Sequence, residues 1–266
     1  MVLQTRPVIT SPVARIEPVT ASAYAVGMHL DAGELAGFYD SAVGRAARRL
    51  ISRRIKEIWP HLRDYRLLGY GFALPYLKSY VPEAERTVAL MPARMGVVAW
   101  PYQRQLAVLG EEDALPFLDA VFDRILVVHG LEGADAARVL LRQLWRVLAP
   151  EGRIVLVTPN RASLWSQMEA SPFACGRPFH RGELTMLLHD TLFEPVRWER
   201  ALYMPPFTGR RLSQLGAGLE RLGRRFLPGL AGVHLVEASK SLYGTSVVKA
   251  HRRKEVALRP AHTLQS

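Results

Sequence analysis

Three short segments of this 266-residue chain hold residue types suited to chemistry. Gly69-Tyr70-Gly71 follows a short apolar run, and glycines placed there let a backbone approach a bound nucleotide with no Cβ in the way. His129 follows Ile125-Leu126-Val127-Val128. An imidazole titrates near neutral pH, so it can act there as a general base or orient a substrate carbonyl. The alternative is a histidine at a sheet rim, bonded to nearby backbone. Thr158-Pro159-Asn160 follows Ile154-Val155-Leu156-Val157 in the same way. Glu132 is placed either to pair with His129 or to cap the helix that comes next, and capping is the simpler expectation. Eight histidines without ligand-like spacing and a single cysteine, Cys175, give no basis for a metal centre.

One α/β unit over residues 112–160 positions these groups. The two β-branched runs read as strands buried on both faces. Between them Ala137, Leu140, Leu141, Leu144, Val147 and Leu148 repeat at helical spacing, with Asp135 to open the helix and Pro150 and Gly152 to stop it. Strand, crossover helix and parallel strand make a βαβ unit, whose ligands bind beyond the carboxyl ends of the strands. That puts His129, Thr158, Pro159 and Asn160 at the mouth of a pocket.

Upstream, residues 34–58 form a helical pattern, with Val43, Ala47, Leu50, Ile51, Ile55 and Ile58 on one face, ended by Trp59-Pro60. Strands are predicted at 66–68, 87–91 and 106–109, and Asp123 is expected to hold the turn before a buried strand. Downstream, the long loop 161–181 carries Trp165, Phe173, Cys175 and Phe179. It reads either as a lid, roofing a substrate together with Phe207, or as a loop whose aromatics anchor it to the core. A helix at 183–189, a strand at 196–204, an amphipathic helix at 212–226 and a last strand at 233–238 follow. Gly216, Gly218 and Gly223 weaken the amphipathic helix on its own, so it is expected to pack against the protein's own sheet or pocket.

The order Asp113-Ala114-Leu115-Pro116-Phe117, then Phe122-Asp123-Arg124, then Arg146-Val147-Leu148-Ala149-Pro150-Glu151-Gly152-Arg153 resembles class I S-adenosylmethionine-dependent methyltransferases of the small-molecule and quinone type. The resemblance covers roughly residues 65–207. It implies an α/β fold: a Rossmann-like, mostly parallel sheet with helices on both faces and an antiparallel strand near the C-terminal end. It also implies S-adenosylmethionine as cofactor, held by Gly69, Tyr70, Gly71, Asp113 and Ala114, with Asp113 beside the adenine. His129 would be the catalytic candidate and a small molecule the acceptor.

The sequence departs from the family pattern at several places. Ala73 replaces the last glycine of the family's Gly-x-Gly-x-Gly, and Leu74 stands where a dinucleotide fingerprint needs its third glycine, which disfavours NAD. Leu67 occupies the position of the acid two residues before the first glycine. The acid that ends the second strand and takes both ribose hydroxyls falls at Met91 or Pro92. Charge-assisted bonds of that kind are worth about 1.5–3 kcal/mol each, so their loss weakens binding unless another group substitutes. Pro159-Asn160-Arg161 is not the Asn-Pro-Pro-Tyr of enzymes that methylate amide nitrogens. A methyltransferase-like protein that has lost catalysis and serves as a binding partner or scaffold is the second expectation.

With 49% apolar residues the chain can bury one substantial core. The expected organisation is an extended arm over 1–28, a single domain over 29–250 and a basic tail over 251–266. No apolar run approaches the roughly 20 residues that cross a bilayer, and the proline-studded start lacks the apolar stretch of a signal peptide. A cytoplasmic protein is expected. The net charge of +11 comes in groups: Arg45, Arg48, Arg49, Arg53, Arg54 and Lys56; then Arg210, Arg211, Arg221, Arg224 and Arg225; then Arg252, Arg253 and Lys254. These read either as solvated helix faces or as patches for an anionic partner, RNA or acidic lipid. No RNA-binding module accompanies them.

Overall fold

The computed structural model describes residues 30–100, 106–168, 171–206 and 216–241. Seven strands form one sheet: β1 (Arg66–Gly71), β2 (Arg86–Pro92), β3 (Ala107–Gly110), β4 (Phe122–Val128), β5 (Leu148–Pro159), β6 (Phe193–Ala201) and β7 (Val233–Lys240). Their order is β3-β2-β1-β4-β5-β7-β6. The first five are parallel, and β7 runs antiparallel between β5 and β6.

The central strands are apolar on both sides, so both faces need covering. On one face α1 (Ala32–Asp40), α2 (Ala42–Ile58) and α3 (Leu74–Leu77) pack with Leu67, Leu126, Val155 and Leu235. On the other, α4 (Ala137–Val147) and α5 (Arg181–Asp190) pack with Leu68, Ile125, Ile154, Leu156 and Val236. The Rossmann-like α/β architecture expected from the sequence is the one observed. A last helix, α6 (Gly216–Phe226), is tied to the segment after β6: the Glu220 carboxylate accepts from the Leu202 and Tyr203 amides at 3.1 and 2.9 Å. It packs against its own domain, as its glycines suggested.

Several local expectations change. Residues 34–58 form two helices rather than one, because Ser41 adopts an extended conformation and its hydroxyl caps α2 at Gly44 N, 3.0 Å away. A Cβ at Gly44 would lie 1.9 Å from the Phe38 carbonyl oxygen, so only glycine closes this corner, which turns Tyr39 into the core. Asp135 does not cap α4. Ala136 occupies the cap position without a side-chain bond, and Asp135 faces Arg94 instead. Pro150 and Gly152 lie inside β5, which starts directly after α4. In the 161–181 segment Trp165, Phe173 and Phe179 are buried, and Trp165 Nε1 donates to Met204 O at 2.7 Å. The aromatics therefore anchor that loop to the core.

The proposed arm over 1–28 and tail over 251–266 lie outside the described residues, as do Phe207, Leu212, Leu215, Arg210 and Arg211. In the first basic group, Arg54 is buried rather than solvated and contacts Glu57, while Lys56 reaches Glu83 at 3.2 Å.

Candidate functional site

The site is built where β1 and β4 end side by side. Gly71 is level with Val128, and the next residue of the β4 side is His129, held at a positive φ of 51°. Gly130 follows because a Cβ there would meet the Tyr70 ring at 2.7 Å. His129 is 2% exposed. Its Nε2 lies 2.9 Å from the Tyr39 hydroxyl, which is itself 2.9 Å from the Tyr76 hydroxyl. Burial, then the neighbouring Tyr76, push the Tyr39 phenol well above its ordinary pKa, so it stays neutral. The Phe173 ring closes on the imidazole, with centroids 4.8 Å apart. His129 is thus a core residue whose partner is a phenol, not a rim histidine bonded to backbone.

Nδ1 of the same ring faces Glu132 Oε1 at 3.3 Å. The two are close enough for an ion pair but are not aligned for a hydrogen bond, and neither Nδ1 nor either carboxylate oxygen has any other partner. Glu132 pairs with His129 instead of capping the helix. It is 3% exposed, and burying a carboxylate without donors costs several kcal/mol. The loop after β5 pins it from outside. Arg177 N donates to the Glu132 carbonyl at 2.7 Å, and Gly176, at φ 73°, is required because a Cβ would sit 2.3 Å from that oxygen.

A cavity of about 350 Å³, partly open to solvent, lies beside these groups. Leu30, Pro92, Arg94, Met95, His129, Glu132 and Cys175 are among its lining residues. Its enclosed part has room for little more than a water molecule. Burial raises the Cys175 thiol above its ordinary pKa, which disfavours the reactive thiolate. Arg94 forms the outer wall, in ion pairs with Glu112 and, at 2.6 Å, with Asp135. Glu112 also accepts from the Asp135 amide at 3.2 Å. On the far side of Arg94 opens a trough of about 690 Å³ lined by Glu111, Glu112, Asp113, Ala136 and Val139. Arg94 is therefore the partition between an inner crevice and an outer trough.

The sequence-predicted residues distribute unevenly over this geometry. His129 lines the inner cavity, and the exposed Asp113 lines the trough. Gly69, Tyr70, Gly71 and Ala114 line neither. The space beside Gly69 is filled by Leu77 and that beside Gly71 by the Val128 carbonyl, 2.5 and 2.3 Å from an added Cβ. Tyr70 is buried on the α4 side of the sheet. Asn160 is structural: its Nδ2 donates to Gly229 O and Ala231 O at 2.9 and 2.8 Å. Of the positions lacking the family's acids, Leu67 and Met91 are core residues with no exposure, whereas Pro92 lines both the cavity and the trough.

Arg94, Glu112 and Tyr39 were not singled out from the sequence. Glu112 adjoins the noted Asp113, and Arg94 stands two residues beyond Pro92; both lay within reach of a search widened by a few positions. Among the described residues no group of three or more His, Cys, Asp or Glu side chains could hold a metal ion, and no helix is long and apolar enough to cross a membrane.

The comparisons with known proteins agree with this architecture. A family model described as a methyltransferase domain matches residues 68–156, from β1 into β5. A S-adenosylmethionine-dependent methyltransferase from Thermotoga maritima superposes with TM-score 0.53 at 19% identity, covering 79% of this chain and 95% of that one. One from Aquifex aeolicus gives 0.53 at 15% identity, covering 79% and 98%. The 1,6-didemethyltoxoflavin-N1-methyltransferase of Burkholderia thailandensis, solved with 1,6-didemethyltoxoflavin and S-adenosylhomocysteine, gives 0.50 at 16% identity, covering 79% and 82%. No curated protein matches the sequence. The chain has the class I methyltransferase fold, and its methyltransferase-domain match falls on the strands whose ends build the cavity.

Proposed function

We infer that the protein is a S-adenosylmethionine-dependent methyltransferase acting on a small-molecule acceptor. The observation that carries this reading is the position of the cavity. It opens beyond the carboxyl ends of β2 and β4, on either side of β1, where the strand order reverses, and most of its lining residues, from Pro92 to Gly133, lie inside the matched segment. Fold alone would not carry it.

The residues present fit the cofactor's chemistry in two respects. The trough offers the carboxylates of Glu111, Glu112 and Asp113 as acceptors for the amino and hydroxyl groups of a nucleoside. The inner crevice presents a buried carboxylate that accepts no hydrogen bond, suited to a ligand that carries positive charge. Glu112, reaching over from the end of β3, is the group that takes over from the carboxylates missing at Leu67 and at Met91 or Pro92. To do so it must exchange Arg94 for ligand, so binding requires Arg94 to swing out of the cleft.

S-adenosylmethionine, when bound, supplies an electrophilic methyl group on a sulfonium. The protein's own contribution is alignment and exclusion of water, which supply much of the rate in such a displacement. The loop carrying Phe173, Cys175 and Gly176 closes the crevice from outside, and His129 is fixed by the Tyr39–Tyr76 pair so that its Nδ1 keeps one orientation. That makes His129 the candidate to hold or accept a proton from an acceptor. Its tautomer follows from which way the Tyr39 hydroxyl donates.

The test is calorimetric titration of S-adenosylmethionine and S-adenosylhomocysteine into the full chain, with A136W as control. Ala136 is exposed and lines the trough, so a tryptophan there fills the trough without entering the core. Gly71 is unsuitable as a control because any side chain there meets the Val128 carbonyl. Micromolar binding that A136W weakens at least tenfold is expected. Absence of heat up to millimolar ligand with folded protein would refute the reading.

A further inference from the structure

Among the described residues, Glu132 is the only carboxylate with both oxygens buried and neither hydrogen-bonded. It lines the inner crevice. The groups that might have satisfied it are committed elsewhere. Arg177 N takes its backbone carbonyl rather than its side chain, and Arg94 is held by Glu112 and Asp135. His129 Nδ1, 3.3 Å from Oε1, is itself without an aligned partner, and Arg94 Nη1, which lines the same cavity, makes its ion pair with Asp135 but no aligned hydrogen bond. Three buried polar atoms thus face one small space with nothing from the chain to bridge them. Native interiors seldom leave such groups unmatched, and a function is the usual reason when they do.

The chemistry of the missing partner follows from the three atoms. Two buried carboxylate oxygens can accept from O–H or N–H donors, but only a cationic donor also offsets their buried charge. A metal ion would need further ligands, and none are assembled here. A guanidinium is planar and broad, whereas the enclosed part of the crevice has room for little more than a water molecule. A primary ammonium is compact, carries three donors and can serve both oxygens at once.

We propose that Glu132 and His129 form an ammonium-recognition subsite, in which a ligand's protonated primary amine donates to the Glu132 carboxylate beside the imidazole. Two sources share this chemistry: the amino-acid end of the cofactor and an amine-bearing acceptor. Only the choice between them rests on the methyltransferase reading.

Two matched probe pairs test it, titrated at pH 7 into wild type and E132Q. The first is S-adenosylhomocysteine against its analogue with hydrogen in place of the amino group. The second is n-butylamine against 1-butanol, followed by NMR shift perturbation. In at least one pair the amine is expected to bind wild type at least tenfold tighter than its neutral partner, and E132Q to abolish that preference. Preference in the first pair assigns the subsite to the cofactor, in the second to the acceptor. Ligand-free E132Q is expected to be at least as heat-stable as wild type, since it removes an unmatched buried charge. The proposal is overturned by no preference in either pair, including no binding at all, by a preference that survives E132Q, or by an E132Q protein less stable than wild type. If the adenosyl pair fails to bind while butylamine discriminates, the methyltransferase reading falls and the subsite stands.

Discussion

The two ends of the parallel sheet are built from the same strands and treat polar groups in opposite ways. At the amino end, Asp123 at the start of β4 accepts from Arg66 N, Nε and Nη2 at the start of β1, all at 2.9 Å. Farther along that edge, Trp59 Nε1 donates to Glu237 at 3.0 Å. The exceptions there are Arg124 Nε, Thr87 Oγ1 and Trp145 Nε1, which have no hydrogen-bond partner. At the carboxyl end the unmatched atoms gather: both Glu132 oxygens, His129 Nδ1, Thr158 Oγ1 and His234 Nδ1. Arg94, Glu112 and Asp135 are paired there, but only across three separate loops, so they can exchange partners. The amino end clamps the strands together, while the carboxyl end gives up stability to keep groups available for a ligand.

The largest expected effect sharpens this contrast from the roof of the carboxyl end. Trp165 is 1% exposed, meets Phe173 edge-on at 5.4 Å and donates to Met204 O. Trp165→Ala should lower unfolding free energy by about 3–5 kcal/mol, from lost packing and an orphaned carbonyl. Chemical denaturation checks the size, and a loss below about 1 kcal/mol would mean the loop is not anchored as described.

Next comes pH. His234 pairs with Thr158 across β7 and β5, and burial, with Arg200 and other cations adding, lowers its pKa from 6.5 to about 4. The folded value lies below the unfolded one, so unfolding takes up a proton between them. The stability this neutral imidazole contributes is complete above pH 6.5 and is lost as pH falls toward 4, with a ceiling of about 3 kcal/mol. Denaturation midpoints of wild type and His234→Leu measured from pH 7.5 to 4.5 should diverge, with the steeper decline in wild type. Parallel curves would remove His234 from the account.

At the amino end the effect is smaller and should leave ligands untouched. Asp123→Ala removes three hydrogen bonds from a partly exposed pair and should cost about 1–3 kcal/mol. Affinity for S-adenosylhomocysteine should stay within twofold of wild type. A larger change in affinity than in stability would break the division between the two ends.

Much of the fold was legible in the chain. The doubly buried runs of β4 and β5 and the spacing of Leu140, Leu141 and Leu144 gave the central βαβ unit because those signals are local. The break at Ser41 was not, since the Gly44 corner is set by contact with Phe38 rather than by any pattern along the helix. The same distinction runs through the site. His129 was visible as a histidine at a strand end. Glu132, three residues on, was visible as one of two alternatives, whereas Tyr39 from α1 and the Phe173 ring arrive from distant parts of the chain. Gly69 and Gly71 show a limit of another kind. A glycine that admits a cofactor and one that admits Leu77 or the Val128 carbonyl look identical in sequence. The search for a ribose carboxylate ended at Met91 and Pro92, whereas Glu112 approaches the same cleft from β3 and is masked by its bond to Arg94.

Hydrogen–deuterium exchange of the full chain with and without S-adenosylhomocysteine addresses the central claim most directly. The account predicts protection in residues 92–96, 110–114 and 129–136, the loops that line the crevice and trough, with residues 64–67 and 121–124 at the amino end unchanged. Protection spread over the amino end, or none anywhere at saturating ligand, would contradict the placement of the cofactor at the carboxyl end of the sheet.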